Sequence, residues 1–95
     1  MSIERLQQYI EKDRDARRVM VALQPEPIDL SFGWKESDLQ KMTGLDSPKI
    51  REILGFLDRN ELLQIKCTQV GTAGPYDLFF RLKPGIKVTI NVTSQ

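Results

Sequence analysis

Residues 34–63 read WKESDLQKMTGLDSPKIREILGFLDRNELL. Leu39 and Met42 are three apart, the spacing of an inward face on a short helix. That helix starts at about Lys35 or Ser37 and ends at Thr43. Ser37 with Gln40 has the spacing of a capping box; a start one turn earlier makes Ser37 an early helical residue instead. Gly44 permits the left-handed conformation in which many helices end. A second helix then opens at Ser47-Pro48. The Ser47 hydroxyl can accept from an exposed amide, and proline suits the first helical position. Ile50, Ile53, Leu54 and Leu57 recur at spacings of three and four, an amphipathic pattern. Asn60 can close the helix in a left-handed cap.

Outward from this segment the periodicity changes. Leu62 to Val70 alternates as a strand, with Leu63, Ile65 and Cys67 on one face and Gln64, Lys66 and Thr68 on the other. Gly71-Thr72-Ala73-Gly74-Pro75 is a hairpin-type connection. Tyr76 to Lys83 returns, with Tyr76, Leu78, Phe80 and Leu82 opposite Asp77, Phe79, Arg81 and Lys83. After Pro84-Gly85, Ile86 to Val92 alternates strictly and predicts one more strand. Cys67 is expected to be inert core. Phe79 is expected to lie under the N-terminal helix or another chain.

Upstream, Ser2 to Leu23 is helical in character, with no glycine or proline. Ile3, Leu6 and Ile10 cluster on one side. Ala16, Val19, Met20 and Leu23 cluster about a quarter turn away, at ~100° per residue. Either one long helix serves two partners, or it breaks near Asp13, which could cap the second part. The later half belongs with the core. The earlier half is free for another contact, such as a second subunit. Arg14, Arg17 and Arg18 alternate with Asp13 and Asp15, the pattern of a salt-bridged surface. Pro25 and Pro27 stop the helix. Residues 28–32 are a linker or short extended piece, and Trp34 is expected to anchor the core.

The chain has 95 residues, 40% hydrophobic and 28% charged, ordinary for one globular domain. The single cysteine forbids an intrachain disulfide, as in a reducing compartment. There is no signal-peptide pattern near the N-terminus and no run of ~20 apolar residues. A cytoplasmic protein without membrane contact is expected. No histidine is present, so Ser-His, Cys-His and His-metal chemistry are excluded. No glycine loop precedes a helix to cradle phosphate. Neither an enzyme, a metal nor a cofactor is expected.

Ser37-Asp38-Leu39, Thr43-Gly44-Leu45, then Ile50, Leu54 and Leu57, then Asn60-Glu61-Leu62-Leu63 resemble the core of winged helix-turn-helix regulators. The family usually carries a glycine where Asn60-Glu61 stands here. The resemblance implies an α+β winged helix-turn-helix fold: three helices, a β-hairpin wing and an extra C-terminal strand. One domain spans 1–95, with a helical arm over 1–12, a helical core over 13–63, and the wing and last strand over 64–95. The resemblance further implies a small DNA-binding transcriptional regulator. The recognition helix, 47–60, would enter the major groove, which is wide enough for one helix. Ser47, Lys49, Arg51 and Glu52 would face the DNA. Lys35 and Lys41 would flank it, and Lys66, Arg81 and Lys83 would reach the backbone from the ribbon.

Charge complicates that expectation. The net charge is +1, low for a DNA-binding domain. From Lys35 to Lys66, Lys35, Lys41, Lys49, Arg51, Arg59 and Lys66 are matched by Glu36, Asp38, Asp46, Glu52, Asp58 and Glu61. Beyond Lys66, Arg81, Lys83 and Lys87 face only Asp77. Phosphate attraction is therefore concentrated on the ribbon. A homodimer, through the N-terminal helix or the C-terminal strand, would double the contacts. The alternative is a winged helix that binds protein and not DNA.

Overall fold

The helical stretch before Pro25 breaks at Asp13. In the computed structural model, which describes residues 3–27, 32–69 and 71–86, α1 (Ile3–Lys12) and α2 (Arg14–Leu23) are separate. Asp13 is extended and its Oδ1 accepts from the amides of Asp15 (2.9 Å) and Ala16 (3.2 Å). Arg17 completes the corner from the other side, donating from Nε to the carbonyl of Ile10 at 3.1 Å. The break resolves the two apolar clusters. A straight helix would aim them about a quarter turn apart, whereas the corner lets both meet one core. Leu6 and Ile10 are fully buried beside Ala16, Val19, Met20 and Leu23. Leu6 and Ile10 of the arm thus belong to the core. Among the described residues four helices stand where the resemblance implies three.

Replacing Asp13 with Ala should cost about 1–2 kcal/mol, the usual worth of a lost N-cap. Asp13→Asn keeps a cap acceptor and should retain most of that. Urea unfolding of both checks it; equal midpoints would show that the cap contributes nothing.

The chain continues as α3 (Glu36–Thr43), α4 (Ser47–Arg59), β1 (Leu63–Gln69) and β2 (Tyr76–Leu82). The strands form an antiparallel hairpin in the register Leu63↔Leu82 to Gln69↔Tyr76. Trp34 adds an isolated bridge to Phe80 on β2, its N–H and C=O both bonded there at 2.8 Å. Gly33 makes that approach possible: a Cβ on it would lie 2.2 Å from the Phe80 carbonyl oxygen. The Trp34 side chain is half-buried against the core edge, with its indole N–H donating to the Pro25 carbonyl at 2.9 Å. The order of elements is compatible with a winged-helix-like fold. The strand expected over 86–92 falls, after Ile86, outside the described residues.

The core is aliphatic apart from Phe80. Leu39, Ile50, Ile53, Leu54, Leu57, Leu62 and Leu63 close it from the α3, α4 and hairpin side, and no described polar side chain is buried. It ends partway along the hairpin. Leu63 and Phe80 are buried, but Ile65, Cys67, Leu78 and Tyr76 on the same face are exposed. Cys67 is therefore a surface residue, not core. Alternation sets the face; the reach of the helices beneath decides how much of it is covered.

Candidate nucleic-acid interface

α3 begins at Lys35 as its N-cap, and Asp38 Oδ2 accepts from the Lys35 amide at 3.2 Å. Ser37 is therefore inside the helix, and the Ser37–Gln40 box does not form. Gly44 closes α3 in the left-handed conformation (φ 75°), its amide bonded to the Gln40 carbonyl at 2.8 Å. Thr43 Oγ1 donates to Leu39 O at 2.6 Å and accepts from the Leu45 amide at 3.2 Å, which tightens the turn. Asp46, not Ser47, is the N-cap of α4, and Pro48 sits in its first turn. At the far end Asn60 turns its amide to the Phe56 carbonyl (2.8 Å), and Glu61 takes the positive φ of 59° expected of Asn60.

This geometry engages the cations of α4. Lys49 Nζ lies 3.2 Å from Asp13 Oδ2 and 3.3 Å from Glu52 Oε2. Arg51 Nε donates to Glu36 Oε1 at 2.9 Å, and Ser47 Oγ donates to Glu36 Oε2 at 2.6 Å. Beside Lys49, Tyr9 of α1 packs on Phe56 of α4, ring centroids 4.1 Å apart. Two carboxylates brought from outside α4 thus hold Ser47, Lys49 and Arg51. The bonds themselves are weak at a surface. The carboxylates matter more, because they stay at the site and oppose any phosphate that approaches.

Hydrogen bonds from Ser47 and Arg51 lower the Glu36 pKa. Burial pushes the Asp13 carboxyl up, but the Ala16 amide and Lys49 outweigh it and the net shift is downward. Asp13 and Glu52 hold Lys49 more firmly protonated than usual. A carboxylate whose pKa is lower folded than unfolded stabilises the fold above its unfolded pKa, and that stability is lost as pH falls. The urea midpoint should therefore drop between about pH 5 and pH 3, and Glu36→Gln should flatten the decline. An identical pH profile in that variant would show that the Glu36 contacts do not contribute.

The hairpin cations are held differently. Arg81 stacks its guanidinium 4.2 Å from the centroid of Phe32, and Lys66 Nζ lies 5.8 Å from the same ring. Arg81 Nε donates to the neutral Gln64 Oε1 at 2.8 Å across the strand pair. Among the described residues no carboxylate pairs with Lys66, Arg81 or Lys83. Lys35 stands at the edge, over Phe79 at 5.6 Å and 3.9 Å from Asp77 Oδ2. Phe79 is half-buried, with Lys35 rather than the N-terminal helix over its ring. Aromatic faces fix a cation without cancelling its charge. The structure therefore divides the nine residues of the expected interface. Ser47, Lys49, Arg51 and Glu52 form a self-paired face on α4. Lys66 and Arg81 share a charged face on the hairpin, with Lys83 nearby in sequence on β2's exit. Lys41 is exposed on α3, with no ion pair among the described residues.

Phe32 was not anticipated. It lies in the stretch read as linker, and only the ladder between Trp34 and Phe80 carries it beside Arg81 and Lys66. The Phe-Gly-Trp run, in which a glycine spaces two aromatics before a strand-like bridge, was the available signal. Among the described residues there is no cluster of histidine, cysteine or acidic side chains able to hold a metal. No helix among them is long and apolar enough to cross a membrane. No family model, curated protein or solved structure matches the chain.

Proposed function

We propose that the chain is a small winged-helix DNA-binding protein, acting in transcriptional regulation, that grips duplex DNA chiefly by its hairpin. The succession of α2, a one-residue bridge at Trp34, α3, tight turn, α4 and hairpin supports the winged-helix reading. The observation that carries the hairpin-led mode is the difference between the two sets of cations. Lys66 and Arg81 rest on phenylalanine with their charge uncancelled; Lys49 and Arg51 rest on carboxylates. Phosphate neutralisation dominates nonspecific affinity, so the uncancelled set is the one that gains. The Phe32 ring already carries cations, which favours contact with a backbone over stacking with a splayed base.

The neutral α4 face favours a second reading, the same fold used to bind protein without DNA. One titration separates them. Fluorescence anisotropy with a random duplex at low salt should show binding that weakens steeply with salt, at a logarithmic slope near −2 to −3 for two or three phosphate contacts, ~0.9 each. No binding at low salt would remove the DNA reading.

A further inference from the structure

Lys66 and Arg81 share one ring, but Arg81 is the more constrained of the two. Its guanidinium stands 4.2 Å from the centroid of Phe32, which sets the plane it lies in. Its Nε donates to Gln64 Oε1 at 2.8 Å, which sets the rotation within that plane. Among the described residues no other hydrogen bond or ion pair engages it. The Nε is spent and the two Nη groups remain, the fork that grips a phosphate by two parallel N–H bonds. Resting on the DNA-binding reading, we infer that Phe32 and Gln64 hold Arg81 as a preset phosphate clasp, and that the chain binds duplex DNA with no preference for base sequence.

The two faces differ in what they can read. A phosphate is the same for every nucleotide, so contacts to it position a protein without reporting sequence. Sequence is read at base edges, and the side chains of α4 placed to reach them are already engaged. Ser47 and Arg51 occupy the two oxygens of Glu36, and Lys49 bonds both Asp13 and Glu52. Arg51 can reach a guanine edge only by leaving Glu36, and Lys49 only by leaving Asp13 and Glu52. The cluster sets Lys49 and Arg51 against three carboxylates, Asp13, Glu36 and Glu52. Each release therefore bares an anion that repels the flanking phosphates. Arg81 meets no such cost, because Gln64 is neutral and Phe32 leaves the charge intact. Its orientation is fixed before DNA arrives, so little side-chain freedom is lost on contact. A regulator built this way acts by covering duplex, not by occupying one operator.

Anisotropy titrations at low salt test both halves. Short duplexes of unrelated sequence should bind the wild type with affinities within about fivefold of one another, since a single bidentate base contact discriminates by about that factor or more. A wider spread overturns the inference and leaves DNA binding standing; no binding to any duplex overturns both. Phe32→Leu removes the ring but keeps Arg81 and Lys66 charged. It should weaken binding to every duplex about two- to tenfold, the cost of ordering a freed side chain. The salt slope should not change, because the same phosphates are neutralised. Phe32→Tyr keeps the ring and should bind as the wild type does. In a Lys66→Gln, Arg81→Gln background, Phe32→Leu should have no further effect. Weakening of equal size in both backgrounds would show that Phe32 only supports the fold. No weakening in the wild-type background would show that the ring does not set the cations. Either result overturns the clasp. Circular dichroism confirms that each variant is folded at the temperature of the titration.

Discussion

Gly33→Ala should destabilise the fold by about 2–3 kcal/mol, as overpacking against a rigid neighbour does, despite adding a single methyl group. The new Cβ would stand 2.2 Å from the Phe80 carbonyl oxygen and 2.7 Å from its carbon, distances that no real contact sustains. The obstacle is backbone of β2, so no side chain can swing aside. Either the Trp34 segment or the hairpin must retreat. Retreat breaks the two 2.8 Å hydrogen bonds between Trp34 and Phe80, each worth about 1 kcal/mol net when the groups are left unsatisfied. Alanine at Gly44 would act by another route, since open space surrounds that site and only its φ of 75° resists substitution. Urea unfolding reads the Gly33 effect directly. A loss below about 0.5 kcal/mol, in the range of ordinary surface substitutions, would mean that the bridge does not form.

Lys66→Gln with Arg81→Gln should lower duplex affinity about tenfold or more at low salt and reduce the logarithmic salt slope by about 1.8, the loss of two phosphate contacts. The comparison must be made against a change on α4 that conserves net charge. Removing Lys49 and Arg51 alone would bare Asp13, Glu36 and Glu52 and weaken binding by repulsion whether or not α4 touches DNA. Lys49→Gln combined with Asp13→Asn deletes both halves of one pair, and Arg51→Gln combined with Glu36→Gln deletes both halves of the other. These charge-conserving variants should change affinity by less than about twofold, with an unaltered slope. If they lose more than the hairpin variant does, α4 leads recognition and the hairpin only assists. Circular dichroism of every variant separates loss of contact from loss of fold.

The helix-turn-helix segment was legible because local chemistry governs it. Gly44 closes α3 and Pro48 opens α4 whatever lies around them, and Ile50, Ile53, Leu54 and Leu57 are all buried as their spacing requires. The hairpin pairing was readable for the same reason, whereas the two apolar clusters left one long helix and a break near Asp13 both open. What failed depends on reach. The spacing of Met42 from Leu39 points it inward, yet it is 45% exposed, because α3 is only eight residues long and its last turn overruns the core. Cys67, Leu78 and Tyr76 overrun it likewise at the hairpin tip. The pairing on α4 was hidden by distance along the chain: Asp13 is 36 residues from Lys49 and Glu36 is 15 from Arg51. The matched charges from Lys35 to Lys66 foretold neutrality but not which carboxylates would supply it. One of the two, Asp13, came from outside that segment altogether, from the corner between α1 and α2.

The tie between Trp34 and its neighbours gives the molecule a natural optical gauge. The only tryptophan is absent from the fully buried set; it spans the connection between α2 and α3, tethered to Pro25 through its ring and to Phe80 through its backbone. Its emission reports whether the hairpin is seated. A ligand that tilts the hairpin should move the emission maximum while far-UV ellipticity stays constant. During unfolding, fluorescence that changes ahead of ellipticity would mark the hairpin as the first part to leave.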